Sequence, residues 1–192
     1  MIRYMCQTFR INAESFDRAE EWYGITKLSL FTKYYNRIMT TRSNQFIVIN
    51  MFAMSPHIYR KNGGSLNYSG AVQVRINTTE FFMYPDGSRS NGISNEISPW
   101  PGKPFDEEDL GINILPGQNW DVILNMTETP EKYNKKDYMY VYLRYILYED
   151  EDAVIANKLL MLNTPVTPEN VCEYRISHPE TELDKEDKKK MA

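Results

Sequence analysis

The side chains able to do chemistry are few and scattered along the chain. His57 and His178 are its two histidines, and the second lies at the edge of a charged C-terminal stretch. Cys6 and Cys172 sit near opposite ends, so a disulfide between them would close a very long loop. Two free thiols in a reducing, cytosol-like compartment are the favoured expectation. Carboxylates could carry general acid–base catalysis in place of histidine, yet no spacing picks out a pair. The acidic runs Asp106-Glu107-Glu108-Asp109 and Glu149-Asp150-Glu151-Asp152 could offer oxygens to calcium. Neither follows the spacing of a calcium-binding loop, and both read better as solvated acidic turns. No nucleophile elbow, phosphate-binding loop, dinucleotide fingerprint or paired Cys or His metal spacing occurs. The expectation is therefore a non-enzymatic chain with no catalytic residue, no cofactor and no metal ligand.

What stands out instead is aromatic. Fourteen tyrosines, eight phenylalanines and three tryptophans lean the composition toward β-strands, which accommodate bulky flat side chains on a pleated surface. The densest run is residues 138–148. Met139, Val141, Leu143, Tyr145 and Leu147 fall on one face, and Tyr138, Tyr140, Tyr142, Arg144, Ile146 and Tyr148 on the other. The first face belongs to a core. The second would not be left to water in this form, so either the chain's own N-terminal segment covers it or another molecule does. Tyrosine and arginine bring large area with a polar tip, which suits contact surfaces. Trp100, held between Pro99 and Pro101, could equally be a contact residue or plug the end of the core. Trp100, Tyr138, Tyr140, Tyr142 and Arg144 are the candidate binding or interface residues.

Several further strands would position these residues. Residues 45–54 are apolar on both faces, as in a strand covered on both sides. Residues 71–79 alternate, with Val72, Val74 and Ile76 inward, and Trp120, Val122, Leu124 and Met126 do the same after the Leu115-Pro116-Gly117-Gln118 turn. Asn62-Gly63-Gly64-Ser65 and Pro85-Asp86-Gly87-Ser88 mark turns, and residues 86–109 a long excursion between strands. Residues 13–23 predict a short helix capped by Asn12 and stopped by Gly24. Residues 28–38 read as extended, residues 153–162 as helix or strand, with strand preferred in a meander of strands, and residues 171–176 as a last short strand. This gives a mostly β chain: an N-terminal arm over residues 1–44, an antiparallel β-sandwich over 45–177, and a charged tail over 178–192 expected to be disordered.

The net charge is −4, and the longest basic run, Lys188-Lys189-Lys190, is embedded in an acidic tail. Direct nucleic-acid binding, which needs a basic patch or arm, is not expected. No apolar stretch reaches membrane-spanning length, and residues 1–5 lack the apolar run of a secretion signal.

With this order of strands, the long excursion around Trp100 and the Leu115-Pro116-Gly117 turn, residues 45–176 resemble the single jelly-roll proteins of viral capsids. The resemblance is architectural and transfers no functional residue. It implies a jelly roll and a place in a virion assembled in the host cytoplasm or nucleus. It also implies partners that are copies of the chain or other capsid proteins. Jelly-roll coat proteins that package a genome directly carry an Arg-rich arm, which is absent here. The implied role is accordingly a shell, vertex, minor capsid or attachment component. A carbohydrate-binding or receptor-attachment sandwich, stacking glycan on Trp100 and the outer tyrosines, is the alternative.

Overall fold

Alternation of apolar side chains decides where the long strands of this protein run, and the pairing between them decides its architecture. The computed structural model describes residues 1–12, 20–22, 25–35, 37–55, 57–66, 70–77, 80–82, 93–94, 111–126, 134 and 136–179. In chain order these form β1 (Ile2–Asn12), β2 (Glu20–Trp22), β3 (Ile25–Ser29), helix α1 (Leu30–Tyr35), β4 (Met39–Thr40) and β5 (Gln45–Met54). Next come β6 (Ile58–Tyr59), β7 (Ser65–Leu66), β8 (Gly70–Ile76), β9 (Glu80–Phe82), β10 (Ile93–Ser94) and β11 (Ile112–Ile114). The last elements are β12 (Asn119–Met126), β13 (Tyr138–Glu149), α2 (Glu151–Met161) and α3 (Pro168–Ser177).

All the pairings are antiparallel. The first long strand lies against the last, β1 on β13, and working inward β3 lies on β12, β5 on β11, and β8 on β9 and β10. The chain is thus one long folded hairpin. It is rolled so that β13 also pairs β5, and β12 also pairs β8. The result is two sheets, β1-β13-β5-β11 with the small β6–β7 hairpin, and β3-β12-β8 flanked by the short strands β2, β4, β9 and β10. That strand order is a jelly roll.

The two sheets share one core. Phe9, Ile11, Ile49, Met54, Val141 and Leu143 from the first meet Leu28, Val72, Val74, Trp120, Val122 and Leu124 from the second. Helix α1 closes one end of the sandwich with Leu30 and Phe31, both fully buried. Its start is tied to β12 through Asp121, which accepts from Ser29 Oγ at 2.5 Å and from the Phe31 amide at 3.3 Å. The Ser29 hydroxyl in turn accepts the Thr32 amide at 3.1 Å, as a helix-capping side chain does.

Glycine is needed at the following places. The β6–β7 hairpin turns through Gly63 and Gly64 at φ of 91° and 87°, as the Gly-Gly pair in the sequence predicts. Gly111, at φ 74°, also has the Ile49 carbonyl 2.7 Å from where a Cβ would sit. Gly111→Ala is therefore expected to destabilise the fold by about 1–3 kcal/mol through positive-φ strain and this clash, measured as a lower urea midpoint.

Several expectations are corrected. The part of the expected residue 13–23 helix that is described, Glu20–Trp22, is strand β2. The short helix of the N-terminal third is α1, inside the segment read as extended. Residues 1–44 are not an arm, because β1 and β3 are integral sheet strands and Phe9, Ile11, Leu28, Leu30 and Phe31 are core. The segments read as final strands are helices. Glu151 and Asp152 occupy the first turn of α2 and Lys158 the last, matching the helix dipole. Helix α2 ends with Asn163 at φ 53°; its amide donates to the Leu160 carbonyl and that of Thr164 to Leu159, a Schellman cap. Thr167 caps α3, accepting from the Asn170 amide at 3.2 Å, with Pro168 in the first turn. The Pro85 turn, most of the 86–109 excursion and residues 180–192 lie outside the described residues.

Candidate functional site

Strand β13 is the middle of its sheet, with β1 on one side and β5 on the other. Residues directly opposite on antiparallel strands project from the same face. The outer face therefore gathers Tyr138, Tyr140, Tyr142, Arg144, Ile146 and Tyr148 from β13 with Asn12, Arg10, Thr8, Cys6, Tyr4 and Ile2 from β1. On the β5 side the register shifts between Arg144 and Tyr145, leaving Asn50 as the extra residue of a bulge. Arg144 donates from Nε to Asn50 Oδ1 at 3.2 Å.

Among the described residues, the C-terminal helices lie over one half of the face and not the other. At one end Phe46, Val48, Ile146 and Tyr148 are buried under Ala153, Ala156, Leu159, Val166 and Val171 of the C-terminal helices and their connection. The Tyr148 hydroxyl donates to the Val166 carbonyl at 3.5 Å. Burial pushes the pKa of this phenol well above its usual range, with Tyr4, Glu169 and Cys172 adding to the shift. Beyond Arg144 the helices stop, and Tyr138, Tyr140, Tyr142 and Arg144 are all half-buried.

The half beyond the helices has internal order. The Tyr138 ring lies 5.7 Å from Tyr59 and 5.6 Å from Tyr140, and the Arg10 guanidinium sits 4.3 Å above it, within cation–π range. A hydrogen bond with Cys6 raises the Tyr142 pKa, burial and the charge of Cys6 acting in the same direction. Next to Tyr59 and Tyr138 opens a cavity of about 500 Å³ lined by Arg60, Lys61 and Asn62 of the β6–β7 hairpin with Asn134, Lys136 and Asp137.

Four of the five candidate residues named from the sequence are thus brought together, in a row on one strand. Trp100 lies outside the described residues. The described N-terminal strand β1 does not lie over the tyrosines; it pairs beside them in the same sheet. Arg10 and Tyr59 were missed because their strands were not legible, although both contact Tyr138.

No family model, curated protein or solved structure matches the chain. The fold is accordingly read from its own strand order.

The acidic corner at Glu149-Asp150-Glu151-Asp152 is not a solvated turn between strands. It joins β13 to α2. Glu149 accepts from Gln45 Nε2 at 2.9 Å and pairs with Arg3, and the Gln45 hydrogen bond leads in holding its carboxyl below the usual range. Asp150 accepts from Asn44 at 2.8 Å. Asp152, almost wholly buried, pairs with Arg175 of α3 and with the Met1 amino group. These carboxylates lock the strand ends to the two helices. Among the described residues no group of three His, Cys, Asp or Glu side chains could hold a metal ion, and no helix is long and apolar enough to cross a membrane. Cys6 and Cys172 are free, exposed thiols.

Proposed function

We propose that this protein is a structural assembly component, a viral capsid, minor capsid or vertex protein, that binds copies of itself or other shell proteins through the half-exposed part of its outer sheet face, beyond the helices. The observation that carries this reading is the abrupt end of the helical cover at Arg144. One continuous face is sealed under α2 and α3 at Ile146 and Tyr148, then left half-exposed at three tyrosines and an arginine. Tyr and Arg concentrate binding energy at interfaces. The jelly roll supports the reading as an architecture of viral shells, though lectin domains share it.

Tyr140→Ala combined with Tyr142→Ala tests the proposal. The fold should persist, by circular dichroism and urea midpoint, while association weakens about 30-fold or more per hot-spot tyrosine in sedimentation velocity. Collapse of the fold would place these rings in the core and remove the interface.

A second reading, recognition of glycan, rests on the Tyr59–Tyr138–Tyr140 ring row beside the cavity at Arg60 and Lys136. It would be favoured if Tyr138→Ala abolished binding on a glycan array and left the state of association unchanged.

A further inference from the structure

Strand β1 is a sheet edge of unusual length. It pairs β13 on one side without interruption from Ile2↔Tyr148 to Asn12↔Tyr138, and among the described residues nothing pairs with its other side. A bare strand edge is an invitation to another strand, and proteins normally blunt it with short strands, lysines, prolines or bulges. The other marginal strands follow that rule: β2, β9 and β11 have three residues each and β10 has two. Strand β1 has 11 residues, with no lysine, proline, glycine or bulge. Its two arginines are engaged within the molecule, Arg3 with Glu149 and Arg10 over Tyr138.

The direction of its amides follows from its first residue. Met1 and Glu149 exchange backbone hydrogen bonds of 2.9 Å in both directions. Odd-numbered residues of β1 therefore bond toward β13, and even-numbered residues aim their N–H and C=O groups outward. In agreement, the Arg10 carbonyl is taken from outside the sheet by the Tyr34 hydroxyl. What remains open is the stretch carrying Ile2, Tyr4, Cys6 and Thr8, whose outward amides have no partner among the described residues. Tyr4 is 66% exposed.

We infer that this edge pairs with the same edge of a second copy, antiparallel about a two-fold axis at Met5. The inference deepens the assembly reading and rests on it. Met5 is the midpoint of the open stretch, so this register uses all of it. Tyr4 of one copy lies opposite Cys6 of the other, and Ile2 opposite Thr8. Each such pair exchanges two hydrogen bonds, which gives about eight across the axis. On the opposite face Met5 meets Met5 and Arg3 meets Gln7, so no like charges are opposed. Self-pairing also needs no second surface, because a two-fold contact uses the same patch twice. The sheet then runs unbroken through both molecules, β11-β5-β13-β1 continuing into its copy, and the tyrosine face becomes twice as wide.

Two variants test the edge. In Met5→Cys, with Cys6→Ser and Cys172→Ser, the new thiols would face each other at a non-hydrogen-bonded pair, about 4.5 Å between Cα atoms. Mild oxidation should then give a covalent dimer, which wild-type Cys6, opposite Tyr4, should not. Cys6→Pro removes one outward N–H and spares the ladder to β13. It should leave the urea midpoint close to that of the wild type and weaken dimerisation at least 100-fold in sedimentation velocity. If the wild type assembles but Met5→Cys does not cross-link, or Cys6→Pro assembles as well as the wild type, the edge inference is overturned. The assembly reading survives that result provided the Tyr140 and Tyr142 variant still loses assembly. A wild type that stays monomeric at every concentration ends both.

Discussion

Trp120→Ala is expected to lower the unfolding free energy by about 3–5 kcal/mol, the usual penalty for deleting a buried indole. Trp120 is 1% exposed and is where three parts of the molecule meet. It stands on β12, its ring is edge-on to Phe31 of α1 at 4.7 Å and to Tyr145 of β13 at 5.8 Å. Removing it opens a cavity between the sheets and takes away the platform of the end-closing helix. The urea midpoint should fall with little change in slope, and Trp120→Phe should recover part of the difference. A loss under about 1 kcal/mol, the size expected of a surface substitution, would mean that the core does not close around this ring.

The second large effect lies one residue on. Asp121 is fully buried and accepts hydrogen bonds from Ser29, from the amides of Phe31 and Val122, and from Arg75 at 3.4 Å. Asp121→Ala would strand the Phe31 amide and the Arg75 guanidinium, and a loss of about 2–4 kcal/mol is expected. The pH dependence separates the contributions. Burial pushes the Asp121 pKa above its ordinary 3.8, and the bonds from Ser29 and Phe31, the charge of Arg75 and the Val122 amide pull it partway back. The folded state therefore binds the proton more tightly than the unfolded chain. This stabilisation is complete below pH 3.8 and is lost as pH rises through the folded-state value. Compared with Asp121→Asn, which cannot titrate, the wild type should lose relative stability as pH rises above 3.8 in urea titrations. A relative gain over that window would show that Arg75 outweighs burial.

The long strands were legible because their two faces differ, or because both are apolar. Residues 45–54 read as covered on both sides, and Phe46 and Val48 do lie under the helices while Ile47 and Ile49 face the main core. Strand β13 is equally plain, because its tyrosines recur at alternate positions opposite an apolar face. Strand β1 was not, for a physical reason. An edge strand with water along one margin keeps polar residues on both faces, and only Phe9 and Ile11 at its far end are buried, with Met5 packing partly against the core. The first C-terminal helix reads in sequence as helix or strand and the second as strand, although end signals are present in Glu151-Asp152 and Thr167-Pro168. Ala153, Ala156 and Leu159 form a narrow apolar stripe that a β-rich context made easy to take for alternation. Asp121 was invisible as a network centre, since its partners Ser29 and Arg75 are distant in sequence and meet only through strand pairing.

The pairing of β1 with β13 also sets a timetable. Arg3 and Glu149 touch across 146 positions of chain, so during synthesis β1 must wait for β13. At about 5–20 residues per second the wait is roughly 7–30 seconds. Local hairpins such as β6–β7 can form during that interval, but the two sheets cannot close on each other's ends. Topologies dominated by such distant contacts fold slowly. Throughout the delay the nascent chain carries a long strand with both of its margins open, and in a cell making many copies at once its nearest match is the same strand on a neighbouring chain.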